Sequence, residues 1–434
     1  SGGETASNLP EVCSYEKALE RSTLDADISL DSISLVELCG NSSLANADRE
    51  AEVIQKLFKN TNREKPCAIS RVVDEIGQSG AAGALASIVK TSLCLHQRIL
   101  PSSAKLNNSK AELQDNSALF TPAATHYWLR DREAGPRRAL VNAFSIDGNC
   151  LSAILEGVEE QGTTQIEDPL DSSESLFSIC ADEKYNLIDS LQRLRAQAGE
   201  ASDKKTQDIA CDWWEKEKNN QHKTLAVSVI ASNKNQLVDL LKQAQGFVES
   251  DKSIATDRLF YVANPLSDKG KIAFVFPGSG SHFIGMGREM SAHWPGLLDH
   301  LDEENLSLAS QFASSRFWTK KSTANFSHED YIFGQVWLGA MVSDVIASFS
   351  VKPDAVIGYC LGETVGLFAT RSWNDRDLML TRMRETRLFT HDLGGSYEAV
   401  RECWGAEEDE TIDWQLGVID RPADEVRAAL KGRD

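Results

Sequence analysis

The chain has 434 residues, a formal net charge of −20 and 41% hydrophobic residues. That length allows about two to four domains with real cores, and the acidic balance argues against a nucleic-acid partner, which needs a basic surface. Nine cysteines are scattered without CxxC pairs, which fits reduced thiols of a cytoplasmic protein and not zinc or disulfides. No membrane span is expected, because the most apolar stretch, Tyr331 to Val351, is broken by Gln335 and Asp344. No signal peptide is visible and residue 1 is Ser1, so the chain is expected to be a piece of a longer one.

In chain order, Ser14 to Leu19 opens a helix, and Ile33 to Leu38 is an alternating, β-rich strand candidate. Cys39-Gly40-Asn41 follows, then a helix from about Asp48 and the small-residue run Asp74 to Gly83. Glu156 to Glu174 is acidic and turn-rich, an exposed linker by composition. Thr224 to Ile230 is a strand candidate, and Asn235 to Val248 a helix with apolar Leu237, Leu240, Leu241 and Phe247. Cys94 falls in an apolar helix as a packing residue.

The chemistry gathers toward the C-terminus. Lys271 to His282 (KIAFVFPGSGSH) is an apolar strand ending in a Pro/Gly/Ser turn at Ser279. Pro353 to Ile357 is a second strand, Gly358-Tyr359-Cys360-Leu361-Gly362-Glu363 a sharp Gly-flanked turn, and Thr364 to Ala369 a helix. Strand, tight turn and helix are the setting of a nucleophile elbow, here with Cys360 in the reactive place. The helix start presents N–H groups to a developing anion. The two turns are expected to meet at the carboxyl edge of one parallel sheet.

These motifs resemble the malonyl/acyl-CoA:carrier-protein acyltransferases, which carry an FVFPGQGSQ-like turn and a GHSLGE-like elbow at this separation. Gln335 to Asp354 (QVWLGAMVSDVIASFSVKPD) resembles the helix before that elbow. The resemblance implies Cys360 as the acyl-accepting nucleophile and the N–H groups of Leu361 and Ser279 as the oxyanion hole. It implies Arg384, with Arg382 and Arg387 as alternatives, as the reader of a malonyl carboxylate, since a guanidinium can hold one bidentately. His282 and Gln335 are expected to line the substrate. The family's base is a histidine well beyond the elbow; only His391 follows Cys360 here, read as a loop residue. Trp414 to Ile419 and Ala423 to Leu430 resemble the opening strand and helix of the family's inserted ferredoxin-like subdomain.

The N-terminal order resembles the C-terminal half of a thiolase-like ketosynthase. Where that family carries two histidines and a lysine, this chain has Cys39, Gln78 and Val73, which implies no condensing chemistry. The expected architecture is therefore α/β in three parts. Residues 1–158 form a partial, degenerate thiolase-like domain, 159–268 a small α/β linker, and 269–434 the first part of an α/β-hydrolase-like acyltransferase core with the start of the ferredoxin-like subdomain. The resemblance to polyunsaturated-fatty-acid and type I polyketide synthases implies acyl transfer from acyl-CoA, malonyl-CoA in particular, to phosphopantetheine on an acyl carrier protein. No cofactor is expected to bind tightly. Other synthase domains, and a second copy met through the ketosynthase-like part, are the other expected partners. Two alternatives stand beside it: a non-catalytic scaffold fragment, and a cysteine-nucleophile α/β-hydrolase suggested by GYCLG.

Overall fold

The computed structural model describes residues 12–39, 44–61, 63, 65–77, 79–103, 118–144, 149–158, 174–200, 204–220, 223–266, 270–318, 326–407, 409–413 and 419–431. The first part runs α1 (Val12–Asp25), β1 (Leu35–Glu37), α2 (Leu44–Lys59), β2 (Cys67–Ser70), α3 (Val73–Ile76), α4 (Ala81–Gln97), β3 (Ile99–Leu100), β4 (Leu119–Phe120), β5 (His126–Tyr127), β6 (Arg138–Phe144) and β7 (Cys150–Glu156). Its sheet has the order β4-β2-β1-β6-β7. β1 is parallel to both neighbours, with Leu35 opposite Ala68 and Ala139, and β7 closes the edge as an antiparallel hairpin on β6.

Tyr15, Leu19, Ile54 and Phe58 of α1 and α2 cover one face of the sheet through Val36, Ile69 and Leu140. Cys94 and Leu95 of α4 cover the other through Leu35, Ala68 and Ala139. The strand read in Ile33 to Leu38 is thus a central one, over Leu35–Glu37. All three β1 residues are buried, because a central parallel strand has helices on both sides. Even Glu37 is fully buried, and it is satisfied there by Lys90 Nζ at 3.0 Å and the Val72 N–H at 2.5 Å.

The second part is β8 (Ser175–Ala181), α5 (Lys184–Glu200), α6 (Thr206–Glu217), β9 (Leu225–Ala231), α7 (Lys234–Glu249), β10 (Ile254–Ala255) and β11 (Leu259–Tyr261), in the sheet order β10-β11-β9-β8. It contains a repeat that reading the linker for composition misses. Phe177, Ile179, Ala181, Leu187, Leu191 and Ala198 of β8 and α5 recur at constant offset as Val227, Val229, Ala231, Leu237, Leu241 and Val248 of β9 and α7. All twelve lie in one core. Each strand–helix unit has one apolar face, and antiparallel pairing of β8 with β9 lets the two faces cover each other.

The third part is β12 (Ala273–Phe276), α8 (Arg288–His293), α9 (Pro295–Glu304), α10 (Leu308–Gln311), α11 (Ser314–Phe317), α12 (His328–Ser348), β13 (Ala355–Gly358), α13 (Leu361–Ala369), α14 (Arg376–Glu385), α15 (Glu398–Trp404) and α16 (Ala423–Leu430). Among the described residues its sheet is β12 and β13 alone, so an α/β-hydrolase-like sheet is not what the strands display. Of the expected strand Trp414 to Ile419, residues 414–418 lie outside the described residues, and α16 buries none of its side chains. α12 is long and apolar enough to cross a membrane by length and composition, yet half of that window is buried inside the fold.

The core of this third part draws in residues from the first. Tyr127 and Leu129 pack with Phe312, Phe317, Trp318 and Trp337, and the buried His126 ring lies 4.7 Å from that of Trp318. Arg98 pairs with Asp299 at 2.5 Å and Arg130 with Asp302 at 3.0 Å across the same seam.

Candidate functional site

β12 and β13 run parallel with Phe276 opposite Gly358, and the next rung is Tyr359 N–H donating to the Phe276 carbonyl at 3.1 Å. Both turns therefore leave the same edge of the sheet. Two glycines make this possible. A Cβ on Gly358 would lie 2.1 Å from the Glu363 nitrogen, and one on Gly362 2.2 Å from the Phe276 carbonyl oxygen. Any side chain would push α13 off the strands. A Cβ on Gly278 would sit 3.3 Å from Cβ of Cys360, so the two turns are in van der Waals contact.

Cys360 caps α13 with φ 55° and ψ −119°. An L-residue there carries a strain of about 1–3 kcal/mol, and the conformation holds the thiol out on the turn, exposed. The N–H groups of Gly362 and Glu363 are taken by the Tyr359 and Cys360 carbonyls at 2.9 and 3.1 Å. Among the described residues, neither Leu361 N–H nor Ser279 N–H donates a hydrogen bond. Two free donors beside an exposed thiol at a helix N-terminus are what a tetrahedral oxyanion needs.

The other sequence candidates are placed differently. Gln335 is buried on α12, and its Nε2 donates to the carbonyls of Gly278 at 2.5 Å and Pro277 at 3.2 Å; it grips the first turn and does not line an open site. His282 is packed against Phe326 and Tyr331, its ring centroid 5.5 and 4.3 Å from theirs, with Nδ1 buried and unpartnered. His391 is exposed and bonded through Nδ1 to Thr390 Oγ1 at 2.8 Å. Among the described residues no hydrogen bond links any histidine to Cys360.

Arg384 points its fork at Glu329, Nε and Nη2 reaching the two carboxylate oxygens at 3.1 and 2.8 Å. The pair lines a cavity of about 600 Å³ between the first and third parts, whose walls include Ser34, Trp128 and Thr390 but neither Ser279 nor Cys360. Arg387 pairs with Glu398, and Arg382 is exposed. The local signal that orients Glu329 is legible: Ser327 and Asp330 form a reciprocal capping box at the start of α12. Its partner across the cavity is not.

Residues 2–107 match the family model of the beta-ketoacyl synthase, C-terminal domain. Over 95% of its length the chain is 24% identical to one of the polyunsaturated fatty acid synthase subunits of Thraustochytrium sp., covering 22% of that protein. This chain carries a ketosynthase-like region of the polyunsaturated-fatty-acid and type I polyketide synthases.

The chain is also 25% identical to polyketide synthase GfsE of Streptomyces halstedii over 84% of its own length and 10% of the relative's. It thus spans under a quarter of either relative. The ketosynthase from module 6 of the bacillaene synthase of Bacillus subtilis 168 is 19% identical with a TM-score of 0.33, over 60% of this chain and 42% of that one.

In the ketosynthase-like region Cys39, expected to stand in place of a histidine, lies in a closed site. Cys39 is partly buried, and its N–H donates to Glu50 Oε1 at 2.8 Å. Burial first, and the Glu50 charge second, push its thiol up to about 12. Val73 opens α3 as a half-buried residue, and Gln78 lies outside the described residues.

Proposed function

We propose that the chain is part of a multidomain fatty-acid or polyketide synthase, and that its third part accepts an acyl group on Cys360 and passes it to a carrier protein. The observation that carries this reading is the strained backbone of Cys360, held against the Gly278 turn with two unused N–H donors beside it. Cys360 Sγ attacks the carbonyl carbon of an acyl-CoA thioester, the C–S bond to CoA breaks, and CoA leaves as the thiolate that takes up the proton released by Cys360. The acyl-cysteine is itself a thioester, so onward exchange to the phosphopantetheine thiol of a carrier protein replaces one C–S bond with another. The Ser279 and Leu361 N–H groups hold the oxyanion in both steps.

Thiols are by nature stronger nucleophiles than hydroxyls and ionise more readily. Loading without a histidine is therefore slow but real, and onward transfer is slower because the incoming thiol has no positioned base. The ketosynthase-like part contributes no condensation and serves as a docking body for the other synthase domains and a second copy. The acyl-CoA is a substrate, no cofactor is held tightly, and the compartment is the cytoplasm.

The scaffold reading is favoured by one specific contact. The Arg384 fork is filled by Glu329, so the carboxylate reader that malonyl selection needs is engaged elsewhere. Incubation with malonyl-CoA followed by peptide mapping decides between the two. An acyl adduct on the Cys360 peptide, absent in Cys360→Ala, supports transfer; no adduct over hours leaves the scaffold.

A further inference from the structure

The amide of Gln335 faces two backbone carbonyls, Gly278 at 2.5 Å and Pro277 at 3.2 Å, and both are acceptors. Only its NH₂ end can face them. Its Oε1 is buried with no hydrogen-bond partner, so no contact at the acceptor end dictates how this amide lies. The side chain is held by the first turn, and the first turn by it.

We infer that Gln335 is the positioning residue for the Ser279 oxyanion donor, an inference that rests on the acyl-transfer reading of Cys360. In a planar trans peptide the C=O and the N–H point to opposite sides. The carbonyl of Gly278 and the N–H of Ser279 belong to one such plane. Gripping the oxygen from the α12 side turns the N–H the other way, toward the turn that carries Cys360. The Pro277 contact fixes the preceding plane in the same manner. Nothing else among the described residues hydrogen-bonds these two carbonyls. Without the amide, the Gly278–Ser279 peptide, which leads from buried Gly278 to exposed Ser279 and Gly280, loses the contact that fixes its plane, and a donor that must reorganise during reaction loses most of its value.

Two reactions of one thiol separate this role from simple packing. Acylation by malonyl-CoA builds an oxyanion, whereas alkylation by iodoacetamide displaces iodide and builds none. In the full chain, Gln335→Met keeps the volume and removes the donors. It is expected to slow Cys360 acylation by about 10²-fold while leaving Cys360 alkylation within twofold of wild type. Ser279→Pro deletes the N–H itself and should slow acylation by a similar factor, and the double variant should be no slower than Ser279→Pro alone, since both act through one donor. Unchanged acylation in Gln335→Met, additive losses in the double variant, or alkylation that moves with acylation would each overturn the inference. Wild type that alkylates at Cys360 but never acylates would instead overturn the acyl-transfer reading, and this inference with it.

Discussion

Gly362 and Phe276 approach so closely that a Cβ on the glycine would lie 2.2 Å from the Phe276 carbonyl oxygen and 2.8 Å from its carbon. The obstructing atoms are backbone, so no rotamer change can relieve the clash. Gly362→Ala is expected to cost about 3 kcal/mol of stability and to part the two turns. Urea denaturation measures the first effect. Loss of the Cys360 preference in a short iodoacetamide pulse measures the second, and an alanine variant with wild-type stability would mean that the turns do not meet this way.

Strain at Cys360 has a sign that can be tested. Its φ of 55° and ψ of −119° suit glycine better than any L-residue. Cys360→Gly should raise the urea midpoint by an amount equivalent to about 1 kcal/mol while abolishing acylation. Cys360→Ala, which keeps the Cβ, should leave stability near wild type and abolish acylation equally.

Thiol labelling should follow burial and electrostatics. Burial is the first cause that raises the thiols of Cys39 and Cys67 to about 12 and that of Cys94 to about 11. Iodoacetamide at pH 8 should therefore modify the exposed Cys360 long before these three, as peptide mapping reads directly. The same shifts favour the protonated thiols in the fold, so their stabilisation is complete below the ordinary thiol value near 9 and is lost as pH rises from there toward 12. Each ionising thiol steepens the alkaline decline by about 1.4 kcal/mol per pH unit. Condensation assays with acyl and malonyl carrier proteins should be blank if, as the resemblance implies, Cys39 replaces a histidine that condensation needs.

The seam between the first and third parts should open in acid. Burial first holds His126 down at about 4 from an ordinary 6.5, with its Nδ1 donating to the Tyr127 carbonyl raising it slightly and the Arg288 charge lowering it. A depressed value means the neutral ring stabilises the fold above pH 6.5, and that contribution falls by about 1.4 kcal/mol per pH unit between 6.5 and 4. Trp fluorescence reports the event, since Trp318 packs on this ring. His126→Phe should flatten that limb of the pH profile.

Acyl selection should be weak while Glu329 occupies Arg384. Wild type is expected to load malonyl and acetyl thioesters within about threefold of each other. Glu329→Gln removes the carboxylate, and a rise in the malonyl-to-acetyl loading ratio would show that the guanidinium can reach the site. No change would assign the arginine to the wall of the cavity between the parts. The ion pair is partly exposed, so its loss should cost well under about 1 kcal/mol.

Local sterics are written in the chain, and they were readable. Glycines at 358 and 362 around Cys360 specify an elbow because only a residue without Cβ tolerates the contacts that turn makes; the strand over Leu225–Ala231 and the helix over Lys234–Glu249 were legible too, whereas Cys67–Ser70, Ser175–Ala181 and Lys184–Glu200 were not read. What the sequence left open depends on partners far apart along the chain. That β1 is buried on both faces depends on α1, α2 and α4 closing over it, which no window around Leu35 contains. The β8–α5 and β9–α7 repeat becomes a core only when its two apolar faces meet. Arg384 had the right residue type for a carboxylate reader, but a long flexible side chain goes where its nearest opposite charge lies, and packing placed Glu329 there. Gln335 read as a substrate contact by its position in a motif; tertiary packing buried it and pointed its amide at the backbone of the first turn.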